Sequence, residues 1–344
     1  MDQYLINDKR TPQDFHIISF SGFKKSEVKS ELIKSISHSK IENACYWSIE
    51  LLCSGHLIEL WEIIFIIMSK KIHLANPLLP TYICLRFKTF KKIIKEYINN
   101  ELEIRNNPSI RSLFIEIISI LCFSQKKPSI EFIKVPSDDF EIINLASKLK
   151  APDVSFVTPF FKLHDPKEIF MALNEFIYQI KNKNFYMTCY WIEWIIEFDS
   201  ICRKKKRIIF CQKRDYEVED KYKTDIIWIC WDILIKFSRE NNIVHKIMNS
   251  LNNIFTCRYS IGTKKKRKGI LYFAIELLTE KYDLSIPIVT ESNKQKLDEI
   301  IKKNKLIFKS IISKNKETIE ESGEQNKIIT NLDKTNQKLD MLYH

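Results

Sequence analysis

Two unbroken runs of five cations are the residues best suited to chemistry: Arg203-Lys204-Lys205-Lys206-Arg207 and Lys264-Lys265-Lys266-Arg267-Lys268. Five adjacent positive charges repel one another and gain from a polyanion, which releases its condensed counterions. Lys-rich runs suit phosphates, giving affinity without reading a base sequence. The alternatives are a nuclear import signal, whose composition the second run also has, or merely solvated loops. The two runs supply ten of the twelve net positive charges, which leaves the rest of the chain close to neutral.

Other constellations are weaker. Trp191 and Trp194, and Trp228 and Trp231, lie three apart, so each pair shares a helical face. Such rings can stack on exposed bases. Their neighbours are Ile, Cys and Leu, which favours core packing. Cys53-Ser54-Gly55-His56 is the nearest thing to half a metal site, but it has no partner doublet and reads better as a helix end. Glu59 and Glu62 mark the solvated edge of an apolar helix. Asp138-Asp139 suits a helix start. No phosphate-cradling loop, dinucleotide fingerprint, HExxH or nucleophile elbow is spelled out. The sequence therefore points to a protein without catalysis, metal or cofactor.

The elements that must position these residues are helices. Five glycines stand where average usage gives roughly 24. So few residues at ease with positive φ argue against sandwiches and barrels, whose tight turns need them. The 57 Ile and 45 Lys against 6 Ala and 10 Arg reflect A/T-rich codons, so β-propensity is discounted and periodicity decides. At 344 residues the chain suits about two domains. Nine scattered cysteines without a CxxC pair fit a reduced, intracellular setting. The charged start at Asp2, Asp8, Lys9 and Arg10 is no signal peptide. Apolar runs near 57–68 and 113–123 are too short for a bilayer, which needs about 20 residues.

Along the chain, 1–25 reads as an irregular arm. Helices follow after Ser26 as cap, at 41–53, at 57–71, at 82–99, and from Asn107-Pro108 to about 124. The proline-containing stretch 125–165 reads as an ordered connector with one short helix near 138–149. Asp165-Pro166-Lys167-Glu168 has the form of a helix start, with cap, proline and acid in order. Ala44-Cys45-Tyr46-Trp47 recurs as Thr188-Cys189-Tyr190-Trp191, 144 residues on. Glu31, Ile33 and Ile36 match Glu175, Ile177 and Ile180 at that offset, and Trp61-Glu62 matches Trp231-Asp232 after an insertion. The expectation is an all-α protein of two tandem four-to-five-helix modules, 26–124 and 166–282. Tyr46, Trp47, Trp61, Tyr190, Trp191 and Trp231 form the repeat core, and both basic runs fall in interhelical loops of the second module. A C-terminal helix with Leu297, Ile300, Ile301, Phe308, Ile311 and Ile312 on one face, and a polar tail, complete 283–344.

The first module carries a resemblance. Ala44-Cys45-Tyr46-Trp47, Leu52, Gly55, Ser69, Ile72 and Leu74-Ala75-Asn76-Pro77 resemble the C-terminal helical domain of the replication-associated recombination AAA+ ATPases. In this sequence Asn43 replaces that family's Asp, Lys70-Lys71 its acidic pair and His73 its Gly. The match covers about 40 residues and implies an oligomerisation collar, without the ATPase core. The whole chain is similar to a protein group of giant DNA viruses that infect protists, related to the mimiviruses. That group carries no established activity, so it implies only a viral setting: host cytoplasm or viral factory, the virion, or the nucleus through the second run. The function expected is a non-enzymatic scaffold that binds nucleic-acid phosphates through the basic runs and protein partners, or itself, through helical faces. The alternative is a structural or assembly protein with no nucleic-acid role.

Overall fold

The computed structural model describes residues 5–8, 10–97 and 100–321. The polar tail with Ile328, Leu332, Leu339 and Leu342 lies outside them. Among the described residues every regular element is a helix, apart from one antiparallel bridge between Ile18 and Lys24. Left-handed backbone falls largely to other residues where glycine is scarce: Ser39, His73, Lys183, Lys206 and Arg258 take φ between 46° and 58°.

The chain divides into two compact units. Among the described residues, the first draws on those up to 72, on 85–126 and on 287–321, the second on 73–84 and 127–286. This differs from two modules with a separate arm, connector and C-terminal segment. The arm and the last helices belong to the first unit, and most of 125–165 belongs to the second. The reason lies in polar anchors that apolar periodicity does not reveal.

In the first unit, α1 (Lys25–Ser37) pairs with α2 (Ile41–Cys53), and both pack on α6 (below). Ser26 is not the cap but lies inside the helix, which starts at Lys25, two residues earlier than expected, with no side-chain cap. Nearly every residue of α2 is buried, Trp47 fully. Gly55 ends this stretch at φ +73°, where a Cβ would meet the Pro12 side chain at 2.6 Å. The arm is bound through Glu50, a buried residue of α2. Its carboxylate accepts from Ser19 Oγ at 2.6 Å, Ser21 N at 2.6 Å and Ser21 Oγ at 2.9 Å. Burial pushes the Glu50 carboxyl up, against those hydrogen bonds. Glu50→Ala should lower the stability of this unit by about 2 kcal/mol, since the arm can lift and return its donors to water. Hydrogen exchange at Ser21 is the measurement, and unchanged protection there would count against the anchor.

Next come α3 (Leu57–Ile66), a π-helical turn (Ile67–Ile72), a 3-10 turn (His73–Ala75) and α4 (Leu79–Lys95). The unit boundary falls inside α4. After α5 (Glu101–Asn106), α6 (Pro108–Phe123) starts as expected: Asn107 accepts from Ser109 N and Ile110 N, with proline in the first turn.

In the second unit, the short α7 (Ile142–Ala146) precedes the hairpin of α8 (Phe170–Lys181) and α9 (Phe185–Lys204). Asp139 and Glu175 bind the segment before this hairpin. Asp139 accepts from Tyr190 OH at 2.8 Å and its carbonyl from Trp194 Nε1 at 3.0 Å. Glu175 Oε1 accepts from Lys150 N and Ala151 N. Asp165 is not a helix cap; Pro166 opens a 3-10 turn (Lys167–Ile169), and the Asp165 carboxylate instead holds Arg214 and Gln212 N. The unit continues with α10 (Ile227–Ser238), α11 (Asn242–Thr256), the four-residue α12 (Thr263–Lys266) and α13 (Lys268–Thr279). The chain ends its described part in the first unit as two helices, α14 (Glu291–Lys302) and α15 (Asn304–Glu321), rather than one. Only α15 buries its stripe, through Ile307, Phe308 and Ile311.

Candidate nucleic-acid interface

The two basic runs, about sixty residues apart in sequence, border one open cleft in the second unit. Its volume is about 400 Å³, and Arg203, Lys204, Lys264 and Lys265 line it with Asp199 and Ser200. Neither run is simply an interhelical loop. Arg203 and Lys204 end α9, Lys264–Lys266 form α12 and Lys268 begins α13. Cations at the end of α9 face its unpaired carbonyls, which favour them.

Most of the ten cations have work inside the fold. Lys264 is 2% exposed, and its Nζ lies 2.5 Å from Asp199 Oδ2 and 2.8 Å from both oxygens of Asp225. Arg203 Nε donates to both Asp199 oxygens at 2.9–3.0 Å. Burial opposes the Arg203 charge, yet its hydrogen bonds and pairing with Asp199 outweigh this and raise its pKa. Two carboxylates and two cations thus form a neutral, largely buried cluster tying α9, the approach to α10, and α12. Arg267 is also buried; its Nη1 donates to the carbonyls of Ile254, Phe255 and Cys257, closing the C-terminal end of α11. Lys268 pairs with Glu193, which also accepts from Tyr272 OH, and Arg207 pairs with Glu168. Lys265 pairs at the surface with Glu197 at 2.9 Å.

Three members of the first run differ. Lys204, Lys205 and Lys206 are exposed, and no carboxylate among the described residues pairs with them. The sequence could have separated these classes in part. Asp199 stands four residues before Arg203, and Glu193 and Glu197 share one face of the same helix. Asp225 carries no such local signal.

The tryptophans offer no stacking platform, since Trp47, Trp61, Trp191, Trp194, Trp228 and Trp231 are all buried. Tyr46 and Tyr190 are buried too, each edge-on to the next tryptophan at 4.9 and 5.2 Å. The turns that close the helical hairpins around them are alike. Ser39 and Lys183 both take φ +57°, and the hydrogen bonds closing the turns are equivalent. His56 and Cys53 do not converge on a metal site: the His56 ring contacts Phe15 O at 2.7 Å, and Cys53 is buried in α2. No described helix is long and apolar enough to cross a membrane.

No known family model, curated protein or solved structure matches the chain. His73, in the 3-10 turn before α4, takes φ +52°, a conformation that favours glycine.

Proposed function

We propose that this chain is a non-enzymatic, helical polyanion-binding protein whose second unit contacts nucleic-acid phosphates through Lys204, Lys205 and Lys206, with Lys265 beside them. The observation that carries this reading is convergence. Two distant basic runs border one open cleft, and Lys204 on its wall, with Lys205 and Lys206 next in the chain, remains exposed without a carboxylate partner among the described residues. In the viral setting that the sequence resemblance implies, such a protein serves replication or genome processing.

The test is salt dependence. On mixed-sequence duplex DNA each neutralised phosphate contributes about −0.9 to the slope of log Kobs against log salt. The variant K204Q/K205Q/K206Q should make that slope shallower by about 2–3 while leaving the fold intact. An unchanged slope removes the reading. Substituting all ten cations is not a valid test, because Lys264 and Arg267 hold the unit together.

A second reading, assembly with a protein partner, has one observation in its favour. Ile208 and Phe210 are half-exposed and alternate with buried Ile209 and Cys211 directly after the first run. Partner contacts that survive nuclease and high salt favour it.

A further inference from the structure

The helix α4 presents a cationic surface that belongs to neither basic run. Lys88, Lys91, Lys92 and Lys95 are spaced i, i+3, i+4 and i+7, so they share one helical face. All four are exposed. From Lys88 to Lys95 the stripe runs about 10 Å along the axis. The opposite face is fixed in the first unit. Phe87 and Phe90 lie 4.8 and 5.5 Å from the Trp61 ring, and Phe90 lies 5.6 Å from Phe114 on α6. The lysines are therefore mounted on a rigid element, with only their amines free to adapt.

Arg86 on the same helix pairs with Glu116, and Lys25, Lys29, Lys34 and Lys148 each have a carboxylate in reach. None of the four stripe lysines has a carboxylate partner among the described residues; Lys91 lies over the Phe87 ring at 5.0 Å. Like charges three and four apart weaken a helix. The helix dipole compensates Lys92 and Lys95 in the last turn, but its effect does not extend to Lys88 and Lys91. A face that works against its own helix, and that the fold leaves unneutralised, gains from an external polyanion.

We infer that Lys88, Lys91, Lys92 and Lys95 form a second polyanion-contact face, in the first unit, that binds the phosphate backbone of nucleic acid. A backbone fits better than a membrane surface, because Phe87 and Phe90 of α4 pack on Trp61 and Phe114, and Leu85 is the large apolar residue of the helix left exposed, too little to enter lipid. It fits better than a base-reading groove contact, because four lysines in line suit a row of phosphates and carry no base-edge specificity.

The experiment compares full-length protein, K88Q/K91Q/K92Q/K95Q, and K204Q/K205Q/K206Q on the same mixed-sequence duplex DNA over a salt series. Gln keeps the helix propensity of Lys, and circular dichroism of each variant verifies the fold. The expected result is a slope shallower by about 3 for the α4 variant, with its own loss of affinity at low salt. A slope equal to wild type overturns this inference, whatever the other variant does. A wild-type slope in K204Q/K205Q/K206Q alone overturns the reading of the second unit and leaves this one standing. Anionic vesicles of phosphatidylserine form the control arm: loss of vesicle binding in the α4 variant, with DNA binding unchanged, overturns the nucleic-acid assignment.

Discussion

Lys264→Met should lower the stability of the second unit by about 3–5 kcal/mol, whereas Lys265→Met, one residue further on, should change it by less than about 1. The two lysines belong to the same basic run but sit in different media. The Lys264 ammonium lies between Asp199 and Asp225, whose side chains are 1% and 3% exposed. Removing it leaves two buried carboxylates to share Arg203, and an uncompensated buried charge is strongly destabilising. Lys265 holds Glu197 in water, where pairing gains little. The measurement is denaturant unfolding read by hydrogen exchange in α9 and α13, because a chain of two units need not unfold in one step. The triple variant Asp199→Asn, Asp225→Asn, Lys264→Met should recover much of the loss. Equal effects at Lys264 and Lys265 would show that the buried cluster is not what the second run is for.

That contrast marks what a sequence can and cannot reveal here. The all-α class was legible because glycine is scarce and apolar spacing is helical over long stretches. The bounds of α2 and the Asn107-Pro108 start of α6 follow from local signals: a terminating Gly55, a capping side chain, a proline in the first turn. The expectation failed where long-range polar contacts decide. Asp165 has every local mark of a helix cap, yet its carboxylate is taken by Arg214, 49 residues away. The basic runs showed the same limit, since charge counted along the chain does not reveal that Asp225 reaches Lys264. A linear count also hid the stripe on α4. Its lysines are interrupted by Thr89 and Phe90, so they form no run, and they become one surface only on a helix.

The two units also share a device that the apolar pattern did not announce. In each, a helical hairpin closed by a left-handed residue, Ser39 or Lys183, packs its Tyr-Trp pair inward. In each, a buried carboxylate on the hairpin holds an irregular preceding segment through backbone amides: Glu50 for the arm, Glu175 for the segment near Lys150. Segments that read as an arm and a connector are thereby made part of the packed units. The carboxylates stand at different places in the two hairpins, so the same physical solution is reached from different positions.

Glu276→Gln should gain about 3 kcal/mol over the wild type as pH rises from 4.5 to 8, and differ little at the acid end. Glu276 lies against His73, in contact through Oε2 and Nδ1, and the His73 ring packs at a tilt on Phe273, 4.7 Å between centroids. Burial raises the Glu276 carboxyl from 4.5 to about 7, with Lys127 opposing and Glu280 reinforcing. Burial lowers His73 from 6.5 to about 3, and Lys127 adds to it. Above pH 4.5 the unfolded chain releases the carboxyl proton while the folded chain keeps it until about 7, so this group lowers stability as pH rises through that window. Below pH 6.5 the unfolded chain protonates the imidazole while the folded chain resists until about 3, so His73 lowers stability as pH falls. Between 4.5 and 6.5 the two slopes cancel, so the pair adds no net pH dependence there. Glu276→Gln removes one slope and exposes the other, at about 1.4 kcal/mol per pH unit, so the variant gains on the wild type as pH rises. A difference between the two proteins that stays constant from pH 4.5 to 8 would mean that Glu276 ionises in the fold as it does in water, and that the pair contributes packing alone.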